Sequence, residues 1–157
     1  MNNLFGTVSG KKIVVLGFAF KSNTNDTRES PAILICKKLL EEGAFLLIND
    51  PKVSIQKISE SLGMSPVSES ERTKNQFNGG WDFANIIEDS FLSADAAVIL
   101  CDWDNYKVLD WEKISKEMRQ PAWIFDTRDV VDAAQVKLTN VNLWQLGKGS
   151  KNIRSLF

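Results

Sequence analysis

Short apolar runs alternate along this chain with segments of helical spacing, and that alternation limits the possible folds more than any other feature. Lys12-Ile-Val-Val-Leu-Gly17 comes first, a β-branched run closed by glycine. Continuous apolar runs of this kind arise where a strand is covered on both faces, as in a parallel sheet. Ala44–Ile48, Ala96–Leu100, Pro121–Phe125 and Asn140–Trp144 repeat the pattern. Helices are predicted between them over Ser30–Glu42, Ser54–Leu62, Trp81–Leu92 and Leu109–Met118. Pro31 suits a first helical turn, where its missing N–H would have no partner, and Gly43 stands where that helix should end. Ser54 fits an N-cap and Asp110 falls near the start of its helix. Residues 63–80 are polar and glycine-punctuated, which predicts a surface loop with room for one short strand and the poorest order in the chain. No hairpin turn joins successive runs, so the expected fold is α/β: a parallel sheet with helices on both faces, a three-layer sandwich.

The 157 residues, 43% of them hydrophobic, are enough for one domain with one core. Residues 1–157 are therefore read as a single domain, with the lead-in 1–10 and the tail 149–157 peripheral. Lys+Arg at 19 nearly cancel Asp+Glu at 20, which gives no electrostatic case for nucleic acid or an anionic membrane. The absence of histidine removes the commonest general base and transition-metal ligand, and no metal site is expected. Two isolated cysteines are too few for a disulfide framework and fit a reducing cytoplasm. No run approaches the roughly 20 apolar residues that span a bilayer.

In parallel sheets ligands bind outside the carboxyl ends of the strands. That rule selects Phe18–Arg28, Cys101–Tyr106 and Asp126–Asp129. A sheet of the Rossmann type that holds a dinucleotide would carry G-x-G-x-x-G after the first strand, and only Gly17 is present. The sheet is thus Rossmann-like without being the primary holder of a nicotinamide cofactor. The first stretch offers two cations, Lys21 and Arg28, leading into a helix N-terminus, a combination that suits phosphate. The alternative is that Lys21 is solvated and Arg28 pairs with Asp26 or Glu29. Arg128 stands where it can grip a phosphate bidentately, or pair with Asp126 or Asp129. Asp50 imitates the acid that binds a dinucleotide ribose, but with no glycine fingerprint it reads as strand termination and turn formation. Cys36 reads as core. Cys101 reads as more exposed, with carboxylates nearby that raise its pKa, so neither cysteine is a nucleophile. Trp103, on a ligand-facing loop, is the tryptophan placed to stack on a base or shape a pocket.

The segment Gly17-Phe-Ala-Phe-Lys-Ser-Asn-Thr-Asn-Asp-Thr-Arg-Glu-Ser-Pro31 closely resembles the UDP-glucose 6-dehydrogenase family. The resemblance continues in order through Asn49–Val53, Trp81-Asp82, Cys101–Asp104, Pro121–Arg128 and Leu146-Gly-Lys148, and covers Lys11 to Lys148. GDP-mannose and UDP-N-acetylhexosamine dehydrogenases share part of the motif and are the alternative within the family. A stand-alone nucleotide-binding or regulatory module, or an oligomer interface built on exposed aromatics, is the alternative outside it. The resemblance implies an enzyme that oxidises UDP-glucose to UDP-glucuronate with two NAD+. It also implies an NAD-binding N-terminal half, a homo-oligomer, and a C-terminal domain that binds the UDP-sugar. This chain resembles that last domain. It implies further that Phe20, Lys21 and Arg128 contact the substrate and that Arg28 reaches the NAD held by the other half. The family's catalytic cysteine and dinucleotide fingerprint have no counterpart here, so no catalytic residue is expected in this chain. Met1–Val8 resembles the lead-in to the domain, which marks the chain as part of a longer enzyme, through truncation or a split gene.

Overall fold

A computed structural model describes residues 7–68, 70, 79–147 and 149–151. Seven strands form one sheet in the order β3-β2-β1-β4-β5-β6-β7. They are β1 (Lys12–Leu16), β2 (Phe45–Asn49), β3 (Gly80–Phe83), β4 (Ala96–Ile99), β5 (Trp123–Asp126), β6 (Asn142–Gln145) and β7 (Gly149–Lys151). The first six are parallel, and β7 adds an antiparallel edge to β6. The chain winds outward from β1 to β3, then returns across β1 to build the other half from β4. This is the doubly wound order, with its switch point between β1 and β4.

Alternation along the strands sorts the core into two layers. Val14, Leu16, Ala97, Ile99 and Ile124 face one side, with Tyr106 of α3 (Asp104–Lys107), Trp111 and Ile114 of α4 (Trp111–Ser115), and Val136 of α5 (Ala133–Lys137). Ile13, Val15, Leu46, Ile48 and Phe125 face the other, under Cys36 and Leu40 of α1 (Pro31–Glu41) and Ile58 and Leu62 of α2 (Ile55–Leu62). The sandwich is therefore three layers, as expected. Each fully buried aliphatic side chain contributes about 1.5–3 kcal/mol, and the strands of β1 and β4 supply such groups to both faces.

Helix boundaries follow their caps. Ser30 Oγ accepts from the Ala32 N–H at 3.2 Å while Pro31 opens α1. Gly43, at φ 89°, ends it, its N–H reaching Leu40 O at 3.0 Å. Ser54 and Asp110 cap α2 and α4. The helix expected over Trp81–Leu92 is not formed. Gly80–Phe83 is strand β3, and only a 3-10 turn, Glu88–Phe91, follows. Trp81 is fully buried against β2, its indole N–H donates to Met64 O at 2.8 Å, and the strand pairing wins over the helical reading of the segment. The short α3, α5 and β7 were not foreseen, and β5 and β6 start two residues later than expected. Residues 149–151 of the tail pair with β6 at the edge of the sheet. Of the loop expected over 63–80, residue 69 and residues 71–78 lie outside the described residues.

The switch point is closed by contact. Gly17 leaves β1 with φ 101°, and a Cβ there would lie 2.3 Å from Cys101 Cβ and 2.8 Å from Cys101 N. Gly17→Ala is expected to destabilise the fold by about 2–4 kcal/mol, through overpacking and a disfavoured backbone conformation, measured by urea unfolding. A loss below ~0.5 kcal/mol would contradict this close approach.

Candidate functional site

Three loops meet at the carboxyl ends of β1, β4 and β5, and they are the three stretches the sequence selects. Arg128 joins them: its Nε donates to Leu100 O at 3.2 Å and its Nη2 to Phe20 O at 3.4 Å. Asp102, in the second loop, lies near Ser22 of the first and Arg128 of the third. Burial pushes its pKa up, but the Ser22 hydroxyl, a backbone N–H and the Arg128 and Lys107 charges outweigh it and hold the group below the usual carboxylate range.

The loop between β1 and α1 is braced internally. Phe20 N–H donates to Asp26 O at 2.7 Å, Ser30 Oγ to Phe18 O at 2.9 Å, and Lys57 Nζ of α2 to Asn25 O at 2.6 Å. Asn23, Glu29 and Asp129 hold positive φ at 64°, 59° and 60° in the loops of this rim. Non-glycine residues with such angles persist only where their surroundings fix them. Phe20 is 42% exposed, a large aromatic left on the surface at the rim.

The cations differ in their partners. Lys21 is exposed, and among the described residues no hydrogen bond or ion pair engages its ammonium. Arg28 adopts the ion-pair alternative: Nε and Nη2 meet Asp26 Oδ1 and Oδ2 at 3.1 and 3.0 Å, with the arginine side chain 88% exposed. The guanidinium hydrogen bond holds the Asp26 carboxyl at about 2, below its usual value. The Arg128 guanidinium goes to two main-chain carbonyls, while Asp126 accepts its backbone N–H at 3.0 Å. Carbonyls leave a full positive charge in place, so Arg128 remains electrostatically open to an anion. Phe20 and Arg128 are in direct contact, Arg28 joins Phe20 through Asp26, and Lys21 follows Phe20 in the chain.

Asp50 follows β2 and is 3% exposed. Its Oδ2 accepts from Phe18 N at 2.9 Å, Ala19 N at 3.0 Å and the Trp103 indole at 3.2 Å. Its Oδ1 accepts from Lys52 N at 2.9 Å and Val53 N at 3.1 Å. A dinucleotide would need this carboxylate for its ribose and an open glycine turn for its pyrophosphate. Asp50 has both oxygens taken, and Gly17 is packed against Cys101. The residues at the switch point therefore do not fit a resident NAD.

Two expectations are corrected here. Cys101 is fully buried, not exposed. Burial is the main cause that pushes its pKa up to about 11, with Asp50 and Asp102 adding to it. Trp103 is 5% exposed and bonded to Asp50, so it braces the loop and does not stack on a base. Cys36 sits in the core, where burial pushes it up to about 12. Ser22, Asp102 and Gln145 were missed. The signal was available: each is a polar residue at or just beyond the carboxyl end of an apolar strand.

A sequence model of the UDP-glucose/GDP-mannose dehydrogenase family, UDP binding domain, matches residues 14–133. UDP-glucose 6-dehydrogenase 3 of Arabidopsis thaliana is 40% identical over 157 residues, covering 94% of this chain and 32% of that protein. UDP-glucose 6-dehydrogenase of Pongo abelii is 42% identical over 144 residues, covering 90% of this chain and 28% of that protein. The chain thus spans about a third of the curated relatives it matches. In fold it is similar to the NDP-N-acetyl-D-galactosaminuronic acid dehydrogenase of Methanosarcina mazei Go1, with TM-score 0.70 and 21% identity over 94% of this chain and 27% of the other. The UDP-D-ManNAc dehydrogenase of Pyrococcus horikoshii aligns at TM-score 0.66 and 25% identity, over 94% and 27% of the two chains.

Two measurements check this geometry. Asp26 should titrate by NMR with a midpoint near 2, and Arg28→Ala should raise it toward the ordinary carboxylate value but short of it, since the backbone N–H of residue 28 and the Lys57 charge remain. Because the folded value is depressed, whatever stability the exposed pair adds is present above the ordinary carboxylate pKa and is lost as pH falls toward 2. Asp50→Asn keeps one acceptor oxygen but turns an NH2 group toward the two or three N–H donors on the other side, and should cost about 2–4 kcal/mol, read by urea unfolding. A near-neutral result would remove Asp50 as the anchor of this rim.

Proposed function

This chain belongs to the UDP-glucose/GDP-mannose dehydrogenase family, whose UDP-binding domain it matches, and on that premise we propose that its β1–β4–β5 rim grips the diphosphate of a UDP-sugar. The observation that carries the reading is the Arg128 guanidinium, held between the Leu100 and Phe20 carbonyls with no carboxylate bonded to it among the described residues. Lys21 supplies a second cation beside it, and Phe20 offers an aromatic surface. The substrate is UDP-glucose, supported by identities of 40% and 42% to the two named UDP-glucose 6-dehydrogenases.

The complete enzyme oxidises UDP-glucose to UDP-glucuronate with two NAD+, in the cytoplasm and as a homo-oligomer. NAD and the catalytic cysteine belong to an N-terminal half, which the C-terminal domain faces across the substrate. Within this chain only Arg28 reaches the cofactor, exchanging or sharing its Asp26 partner to do so. Among the described residues no helix is long and apolar enough to cross a membrane. A rim that contacts only one side of its ligand binds weakly alone, since tight small-molecule sites enclose most of the ligand.

Calorimetry with UDP and GDP tests the reading. UDP should bind, more weakly as salt rises, and Lys21→Ala and Arg128→Ala should each weaken it about tenfold, equivalent to ~1.4 kcal/mol. Equal UDP affinity in both variants and the native chain would refute the site, and tighter binding of GDP would refute the choice of nucleotide. In the complete enzyme Arg28→Ala should raise KM for NAD+ and leave KM for UDP-glucose unchanged.

A further inference from the structure

We infer that Gln145 is a positioning residue for Arg128, acting through the buried carboxylate of Asp126. The inference rests on the reading of Arg128 as a diphosphate ligand and adds to it the element that aims the guanidinium. Gln145 ends β6 and is 1% exposed. Its Nε2 faces three acceptors of the segment joining β5 to α5: Asp126 Oδ2 at 3.0 Å, Val131 O at 3.1 Å and Asp129 Oδ1 at 3.5 Å. Asp126, itself fully buried, takes Arg128 N on Oδ1 at 3.0 Å and Val131 N on Oδ2 at 2.9 Å. One carboxylate thus closes both ends of the turn that carries Arg128, and Gln145 anchors that carboxylate from the neighbouring strand.

The other end of the amide strengthens the case. Gln145 Oε1 is buried, with no hydrogen-bond partner among the described residues. A buried carbonyl left unpaired costs stability that an aliphatic side chain of the same size would avoid. The flipped amide would set Oε1 against the Asp126 oxygen, acceptor to acceptor. The orientation that leaves the orphan is therefore fixed by what the NH2 group holds. Asp129 in this turn sits at φ 60°, a conformation that needs such outside support. If the turn relaxes, the Arg128 side chain leaves a position defined by two carbonyls on two other loops.

The test uses two substitutions, each with its melting temperature. Gln145→Met keeps the size and removes the donor. Gln145→Glu keeps a donor only while protonated, and Asp126 and Asp129 both face that position, so its ionisation would repel the carboxylate it must hold. In Gln145→Met, UDP affinity should fall about tenfold and hydrogen exchange at the Arg128 amide and Nε–H should accelerate. Gln145→Glu should match the native chain near pH 5 and fall behind it by pH 8, each compared with the native chain at the same pH. Unchanged exchange at Arg128 in a folded Gln145→Met chain overturns the inference. So do losses in both variants that are independent of pH and track the melting temperature alone. If Arg128→Ala binds UDP like the native chain, or the native chain binds none, the diphosphate reading fails instead, and exchange at Arg128 still decides the positioning role.

Discussion

A single buried carboxylate holds the ligand-facing rim together. Asp50 takes two amides of the first loop, two of its own turn and the indole of Trp103 in the loop after β4. A charge this deeply buried is stable only when its hydrogen bonds replace hydration, and five N–H donors do so here. The same bonds fix where the first loop leaves the sheet, hence where Phe20 lies and what Arg128 can touch. An acid that in a dinucleotide fold would greet a ribose here organises the chain itself. That leaves the loop tips, where Lys21, Arg28 and Arg128 stand, to carry the proposed diphosphate site.

Aspartates do the same work elsewhere along the sheet. At its amino end Asp95, nearly buried, accepts Lys12 N at 2.8 Å and a bidentate Arg119 with both contacts at 2.8 Å. At its carboxyl end Asp126 closes the turn before α5. Each sits beside a point where the chain leaves or enters a strand and its peptide groups lose ladder partners. The sheet core is apolar on both faces, so these end groups carry most of the polar specificity. Rigid ends suit a surface that must present a few cations at fixed spacing, because order already in place need not be imposed by the ligand.

The sequence revealed the strands whose apolar character is continuous and local. Lys12–Leu16 and Ala96–Ile99 read correctly because both faces are covered, and no competing helical period arises. Gly80–Phe83 misled because Phe83, Ile87 and Phe91 recur every four residues, while the pairing with β2 that decides the matter is remote in sequence. Helices of four or five residues, such as α3 and α5, are too short to show a period. The rim was legible in outline, since a strand's carboxyl end can be found without knowing the contacts. The partners were not. The bond between Trp103 and Asp50 joins residues 53 apart, and no local pattern announces it. The sequence left Asp26 and Glu29 open as partners of Arg28, and the structure has Asp26, two residues away.

The burial of both cysteines has a consequence for oxidants. Peroxides and alkylating reagents attack thiolates. With Cys101 held at about 11 and Cys36 at about 12, the anionic fraction at neutral pH is on the order of one in ten thousand or less. Folded, this domain offers such reagents almost no thiolate to modify. Thiol labelling here measures how often the sandwich opens.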